Sequence, residues 1–227
     1  MISLLAIGAD SAVVQGQNYE RERRRMIVRQ IERRGIADKR VLQAMGEVPR
    51  HEFVPSEART KAYDDRPLAI GFGQTISQPY IVAFMAEHLL LEPADRVLEV
   101  GTGSGYQAAV LSRLVAQVFS IEIVTELILR ANTDLKRLGY KNILVKSGDG
   151  YEGWPEFAPF DAITVAAALD HIPEPLISQL REGGRMVMPV GDAHDQQLLL
   201  IEKRAGGLRR QAVCPVRFVP FIRKAGN

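Results

Sequence analysis

The feature that most constrains the fold is the alternation of short apolar strands with helical segments from residue 95 onward. Strands that alternate with helices form a parallel sheet with right-handed crossovers. The last two strand-like segments have no helix-length segment between them, so we expect them to pair antiparallel. The sequence predicts an α/β doubly wound, mixed sheet of seven strands. The predicted strands are 96–100, 117–123, 143–147, 160–167, 184–190, 196–204 and 210–220, and the helices between them are 106–115, 125–138 and 173–180.

An N-terminal helical extension is predicted before the sheet. Residues 19–34 alternate charged with apolar residues at helical spacing, and Asp38 can cap a helix that runs to about Gly46. A strongly apolar helix is expected over about 80–91. We expect one structural domain, in which 1–18 is a flexible tail, 19–94 is the helical and substrate-loop region, and 95–222 is the core.

Composition excludes several classes of protein. The 227 residues carry a net charge of +2, which argues against a nucleic-acid-binding protein. The single cysteine excludes an internal disulfide, and the four histidines have no metal-ligand spacing, so no metal site is predicted. No apolar run reaches the ~18 residues of a membrane span. The first residues lack the basic start of a signal peptide, so we expect a cytoplasmic protein, with a weak export signal as the alternative.

A glycine-rich turn, LEVGTGSGYQAA, joins the first predicted strand to a helix. Glycines allow positive φ and close approach of a ligand to the backbone. The dinucleotide fingerprint GxGxxG fails here because Tyr106 occupies the last position. The turn also contains no Lys or Arg that would bind phosphate. The turn therefore favours a ligand without phosphates and argues against an NAD-dependent dehydrogenase.

Acidic residues at the ends of the following strands complete a nucleoside site. Glu122 ends the second strand and can accept both hydroxyls of a ribose. Asp149 follows the third strand and can accept an adenine amine, and Gly150 leaves room for the ring. Glu99, just before the glycines, can accept an ammonium group. S-adenosylmethionine has these features: adenosine, an amino-acid end, a sulfonium and no phosphate.

Several longer stretches resemble the protein-L-isoaspartate O-methyltransferase family. They are RVLQAMGEVPRHEFVP, RPLAIGFGQTISQPYIVAFMAEHL, VLEVGTGSGYQAAVL, GDGYEGWPEFAPFDAI, QLREGGRMVMPVG and RFVPF. The resemblance runs from about residue 25 to 222, and GQTISQPY is specific to this family among methyltransferases. It implies a Rossmann-like methyltransferase fold and methyl transfer from S-adenosylmethionine to the α-carboxyl of L-isoaspartyl residues in damaged proteins. The ester then closes to a succinimide, which reopens partly to aspartate, and S-adenosylhomocysteine is the by-product.

The resemblance and the residue pattern together give a set of site residues. Ser77 matches the catalytic serine of the family. Isoaspartyl-containing proteins and peptides are the expected partners, with no nucleic acid or membrane, and a monomer is preferred. The predicted substrate-binding residues are Thr75, Ile76, Gln78 and Val219, and the predicted cofactor-binding residues are Glu99, Gly101, Thr102, Gly103, Gly105, Glu122, Asp149 and Gly150.

The chemistry of this reaction needs no strong base, because a carboxylate nucleophile is already ionised near neutral pH. We therefore expect the Ser77 hydroxyl to donate to the substrate carboxylate and orient it. The alternative is that Ser77 caps the helix that begins near Pro79. Two other functions stay open at this point. One is a methyltransferase acting on RNA or a small molecule, and the other is a non-catalytic cofactor-binding module.

Overall fold

The computed structural model of the chain describes residues 18–223, so the tail expected at 1–18 lies outside the described residues, apart from Asn18, which is helical. The first helix, α1 (18–26), continues into a π-helical turn, Ile27–Ile31, and a 3-10 turn, Glu32–Arg34. The other helices are α2 (Lys39–Glu47), α3 (Pro79–His88), α4 (Tyr106–Leu111), α5 (Thr125–Arg137) and α6 (Glu174–Gln179). The strands are β1 (Leu68–Gly71), β2 (Gln74–Ile76), β3 (Arg96–Val100), β4 (Gln117–Glu122), β5 (Ile143–Ser147), β6 (Phe160–Val165), β7 (Leu180–Gly191), β8 (Gln196–Arg204) and β9 (Gly207–Val216).

The main sheet has seven strands in the order β5-β4-β3-β6-β7-β8-β9. The five strands β5, β4, β3, β6 and β7 run parallel to one another. The strand β8 pairs antiparallel with both β7 and β9. The predicted mixed, doubly wound sheet is confirmed. The chain moves outward from β3 to β5, returns to β6, and then continues in the opposite direction. The winding therefore reverses between β3 and β6, where ligands of such sheets bind.

Both faces of the sheet are buried at the central strands, because successive side chains point to opposite faces and are apolar on each. Val97 and Val118 face a core that includes side chains of α2, α3, α4 and α5. Leu98 and Phe119 face a second core, which includes side chains of α6. The predicted cap of α2 is confirmed, since Asp38 accepts hydrogen bonds from the N–H groups of Arg40 and Val41.

Several segments differ from the prediction. The helix α4 ends at Leu111 rather than at 115, and β7 begins at Leu180 rather than at 184. Residues 68–76, expected to be part of a loop, form the antiparallel hairpin β1–β2, whose turn has positive φ at Gly71, Phe72 and Gly73. The last predicted strand, 210–220, instead spans Gly207–Val216. It ends at Val216 because that residue pairs with Gln196, the first residue of β8, so no partner strand extends further. No helix within residues 18–223 is long and apolar enough to cross a membrane.

Candidate cofactor and substrate site

A cleft lies at the carboxyl ends of β3, β4 and β6, where the winding reverses. Its volume is about 750 Å³, including the solvent at its open side. The β3–α4 glycine turn, the loop between β2 and α3, and the segment 219–222 surround it. Within the described chain, its lining includes one carboxylate and no lysine or arginine. The lining residues are Gln74, Thr75, Ile76, Ser77, Val82, Val100, Gly101, Thr102, Gly103, Ser104, Tyr106, Gln107, Ile121, Glu122, Ile123, Gly150, Ala166, Ala167, Val219, Pro220, Phe221 and Ile222.

The glycine turn is shaped by positive φ at all three of its glycines, with values of 96° at Gly101, 54° at Gly103 and 84° at Gly105. L side chains rarely adopt this conformation, so the sequence GTGSG is needed for the bend. The N–H groups of Gly101 and Thr102 donate to the carbonyl of Ile121, at 2.8 and 3.2 Å. These bonds tie the start of the turn to the neighbouring strand β4. The turn therefore presents backbone to the cleft in a fixed position.

Glu122 is the carboxylate of the lining. It ends β4 and is 7% exposed. Oε2 accepts a hydrogen bond from the Gly103 N–H at 2.8 Å, and Oε1 accepts from the N–H groups of Ile123 and Val124 at 2.9 and 3.0 Å. Three backbone donors thus fix the carboxylate and take three of its about four lone-pair sites, so Oε2 keeps acceptor capacity and Oε1 can take a further donor only by sharing. A pair of vicinal hydroxyls on a ligand fits this group.

Asp149 and Gly150 lie at the end of β5, as the sequence predicts. Asp149 caps a 3-10 turn, Gly150–Glu152, through a hydrogen bond from the Tyr151 N–H to Oδ1. Its Oδ2 accepts from Arg223 at 3.2 Å. Gly150 lines the cleft, whereas Asp149 is adjacent to it in sequence and is not a lining residue. A Cβ at Gly150 would lie 2.3 Å from Cγ1 of Val100, so the space beside the cleft depends on glycine.

Glu99 differs from the prediction. Its carboxyl is fully buried and is not part of the cleft lining. Oε2 accepts from Ser120 Oγ, which also bonds the Thr102 hydroxyl, and Oε1 has no partner among the described residues. Burial raises the pKa of Glu99 to about 8, although the hydrogen bond from Ser120 acts in the opposite direction. The structure therefore places this acid beneath the glycine turn, where it supports Thr102 through Ser120.

We expect the free energy of unfolding to decrease as pH rises from about 6.5 to 8. Below a folded-state pKa of about 8, Glu99 keeps a proton that it loses near 4.5 when exposed, so the folded chain binds more protons and stability falls with pH. His51 has the opposite effect at lower pH. Its burial lowers the pKa from 6.5 to about 4, so stability rises with pH across that window. The two effects oppose each other below about pH 6.5, and only Glu99 contributes above it.

Urea unfolding at pH 6.5, 7.25 and 8 measures this effect in the wild type and in Glu99→Gln. The amide can still accept the hydrogen bond from Ser120 but does not titrate, so the decrease should be absent in the variant. An identical slope in the two proteins would rule out Glu99 as its source.

The strand β2 and the residue that follows it form a second wall of the cleft. Thr75, Ile76 and Ser77 line the cleft. Gln78, not Ser77, is the N-cap residue of α3, and no side chain caps that helix. The alternative that Ser77 acts as a helix cap is therefore wrong. Its hydroxyl makes no hydrogen bond to any described residue, so it remains available to a ligand. Gln78 is outside the lining.

The segment 219–222, beyond the end of β9, forms the third wall. The Ala168 N–H donates to the carbonyl of Val219, and the Phe221 N–H donates to the carbonyl of Ala168, both at 2.9 Å. Arg223 follows and pairs with Asp149 and Glu152, at 3.2 and 3.1 Å. Val219, predicted to contact substrate, lines the cleft as part of this wall.

Sequence reasoning missed several lining residues, of which Ala166, Ala167 and Gln107 are the most informative. Ala166 and Ala167 follow β6 on the far side of the reversal point, where the rule for strand carboxyl ends predicts ligand contacts. Gln107 follows the glycine turn, and its Nε2 donates to Thr164 Oγ1 at 2.9 Å. Nothing in the sequence marks Gln107, because its contact depends on the register of β6 beside β3. No group of three or more His, Cys, Asp or Glu residues in the described chain is arranged to hold a metal.

Comparison with known proteins gives concordant matches. The profile of the family described as protein-L-isoaspartate(D-aspartate) O-methyltransferase (PCMT) matches residues 21–226. A protein-L-isoaspartate O-methyltransferase of Opitutus terrae is 51% identical over 225 residues, covering 99% of this chain and 97% of the relative. One of Gloeobacter violaceus is 52% identical over 200 residues, covering 88% and 98%.

Two solved structures are similar over nearly the whole fold. A protein-L-isoaspartate O-methyltransferase has a TM-score of 0.80 and 33% identity, covering 90% of this chain and 66% of that one. A putative enzyme of the same name from Plasmodium falciparum, in complex with S-adenosyl-L-homocysteine, has a TM-score of 0.78 and 26% identity, covering 91% and 99%.

Proposed function

The chain belongs to the protein-L-isoaspartate(D-aspartate) O-methyltransferase family, and from this premise we propose how its residues divide the work of the reaction. The family transfers a methyl group from S-adenosylmethionine to the carboxyl group of isoaspartyl residues. One wall of the cleft would hold the cofactor and another the substrate carboxylate. The observation that carries the proposal is the Ser77 hydroxyl, which lines the cleft without a hydrogen-bond partner among the described residues.

The cleft fits S-adenosylmethionine in its donors and acceptors. Glu122 would accept the ribose hydroxyls, and the backbone of the glycine turn, with Gly101, Thr102, Gly103 and Gly105, would follow the amino-acid end. Gly150 leaves room for the adenine ring, and Asp149 would accept its amine once Oδ2 turns from Arg223. The absence of lysine and arginine from the described lining suits a ligand without phosphate. The bound cofactor supplies a methyl group made electrophilic by a sulfonium.

Glu99 would act on the cofactor indirectly. Its buried carboxyl holds Ser120, and Ser120 holds the Thr102 hydroxyl at 2.5 Å. Removal of this acid would loosen the glycine turn without removing a direct ligand contact. The predicted ammonium contact is not kept, because the carboxyl lies beneath the turn.

The chain's own residues then need to orient an anion and exclude water. The isoaspartyl carboxylate has a reference pKa of about 4, so it is ionised without help from a base. Ser77 would donate its hydroxyl proton in a hydrogen bond to one carboxylate oxygen and keep the other directed at the methyl group. The wall at 219–222 would keep bulk water out. In such a low-dielectric site, the attraction between the anion and a cationic partner is strong.

Substrate recognition would rest mainly on the peptide backbone. An isoaspartyl residue lengthens the main chain by one methylene, so the site must hold main chain as well as carboxylate. The hairpin strand β2, with Thr75 and Ile76, and the wall residue Val219 would flank an extended peptide. The strand β2 pairs with β1 on one side alone in the described chain, so its other edge can pair with a peptide.

We expect methyl transfer to an isoaspartyl peptide and none to the same peptide with aspartate. Radiolabelled S-adenosylmethionine measures both. A series of isoaspartyl peptides with altered flanking side chains should vary in kcat/KM by less than about 10-fold, because backbone contacts do not depend on side chains. Equal labelling of the aspartyl peptide would contradict the proposed activity, and a larger spread would contradict backbone recognition alone.

We also propose the partners, the oligomeric state and the cellular compartment of the enzyme. The near-neutral net charge of +2 gives no general attraction to nucleic acid. We take the partners to be isoaspartyl proteins and peptides, the active unit to be a monomer, and the compartment to be the cytoplasm. Light scattering of the purified protein at assay concentration tests the monomer directly.

A further inference from the structure

The backbone that carries Ser77 is braced by side chains outside the cleft. Ser77 has no side-chain hydrogen bond of its own in the described chain, so its position depends on the residues beside it. On one side, Ile76 is buried in the core. On the other side, Gln78 turns away from the helix that it begins. Its Nε2 donates to Asp65, at 2.7 Å from Oδ1 and 3.1 Å from the main-chain carbonyl.

A second contact comes from the end of the first helical segment. Nη1 of Arg34 donates to Oδ2 of Asp65 at 3.1 Å. The same guanidinium lies over the ring of Tyr80, with Cζ 3.5 Å from the ring centroid. Tyr80 is the second residue of α3. The two residues therefore contact positions 78 and 80 together, immediately after Ser77, from two separate parts of the chain.

We propose that Asp65 and Arg34 are positioning residues, which fix the Ser77 hydroxyl for the methyl-transfer reaction by holding Gln78 and Tyr80. This inference rests on the proposed role of Ser77. Its second consequence is that Gln78 positions the loop rather than binding substrate, which agrees with its place outside the cleft lining.

Exposure separates this role from a general contribution to folding. The side chains of Arg34 and Asp65 are 42% and 38% exposed. Ion pairs this exposed contribute little to stability because water screens them and the side chains lose freedom. Catalytic geometry is far more sensitive, since small displacements of a reacting group cost large factors in rate. Loss of the contacts that Asp65 and Arg34 make with Gln78 and Tyr80 should therefore lower kcat and leave the stability of the fold nearly unchanged.

The test uses Asp65→Ala with Asp64→Ala as its matched control. Asp64 is the neighbouring residue, is 47% exposed in its pair with Arg66, and its side chain makes no hydrogen bond or ion pair with residues 76–80 in the described part of the chain. We expect Asp65→Ala to lower kcat about 10-fold, with the melting temperature within about 2 °C of wild type and the dissociation constant for S-adenosylhomocysteine within about twofold. Asp64→Ala should keep wild-type kcat. Asp65→Asn keeps both acceptors of Gln78 and should recover part of the lost rate.

The double variant Asp65→Ala with Ser77→Ala gives the readout that a structural role would not change. If Asp65 acts through Ser77, the double variant should be no slower than Ser77→Ala alone. Losses that multiply, or wild-type kcat in Asp65→Ala, would overturn the inference. Wild-type kcat in Ser77→Ala would instead remove the proposed function of the serine, so the two failures are distinguishable.

Discussion

Replacing Ser77 with alanine is expected to lower kcat for an isoaspartyl peptide about 100-fold. The Ser77 hydroxyl lines the cleft and has no hydrogen-bond partner in the described chain, so in the variant the substrate carboxylate would lose the donor that orients it. Binding of S-adenosylhomocysteine should change little, because the glycine turn and Glu122 are untouched. Steady-state kinetics and calorimetric titration measure the two quantities separately.

Ser77→Thr is the graded control for that variant. It keeps a hydroxyl and adds a methyl group, so its kcat should lie between those of the wild type and Ser77→Ala. A folded Ser77→Ala that binds S-adenosylhomocysteine normally and keeps near wild-type kcat would refute the serine assignment.

Replacing Glu122 with alanine should weaken the binding of S-adenosylhomocysteine by about 100-fold or more. The carboxylate is the acceptor proposed for two ribose hydroxyls, and hydrogen bonds to a charged acceptor are strong ones. The variant also frees the N–H groups of Gly103, Ile123 and Val124, so the turn loses a support. Calorimetric titration with S-adenosylhomocysteine measures the change directly.

The matched control is Glu126→Ala. Glu126 is an exposed carboxylate in the first turn of α5 and does not line the cleft. Its loss should leave the dissociation constant within about twofold, because a screened surface charge contributes little. Glu122→Gln, which keeps one acceptor without the charge, should fall between the two. A dissociation constant for Glu122→Ala within a few-fold of wild type would exclude the ribose contact.

Much of the α/β region could be predicted from the sequence, because the spacing of apolar residues, the ends of strands and the capping residues of helices are local signals. The strand β3, the GTGSG turn and α4 follow from one continuous pattern, and the order of Glu122 and Asp149 at successive strand ends brings them to one edge. The family resemblance decides between substrates, which the cofactor pattern cannot. It rules against the RNA and small-molecule alternatives and the non-catalytic module.

Glu99 shows what strand geometry adds to sequence order. It lies within β3, paired with Ser120 of β4, so its side chain projects from a face of the sheet rather than over its end. Because Glu99 is close to the glycines in sequence, its carboxyl is expected in the cleft. The alternation of side chains along β3 instead directs the carboxyl beneath the glycine turn. The sequence does contain a signal for this placement, because Glu99 lies two residues before Gly101 and the side chains of a strand alternate between its two faces.

The hairpin β1–β2 and the wall at 219–222 were harder to predict because both depend on contacts distant in sequence. Three-residue and four-residue strands carry little periodicity, and the hairpin is fixed partly by Arg130, which donates to the carbonyl of Ile70. The position of the wall depends on Ala168, in the loop after β6, which forms a β-bridge with Pro220. No local pattern in RFVPF indicates where β9 loses its partner strand.

The way in which 219–222 is attached has a consequence for product release. Two backbone hydrogen bonds to Ala168 and the half-exposed pairs of Arg223 hold this wall, whereas the glycine turn is built into the sheet. Displacement of 219–222 would break these contacts and leave the hydrogen bonds of the parallel strands intact, so we expect spent cofactor to leave on this side. A bulky fusion after residue 227 would lie close in sequence to this wall, so we expect tags for kinetic work to interfere least at the other end.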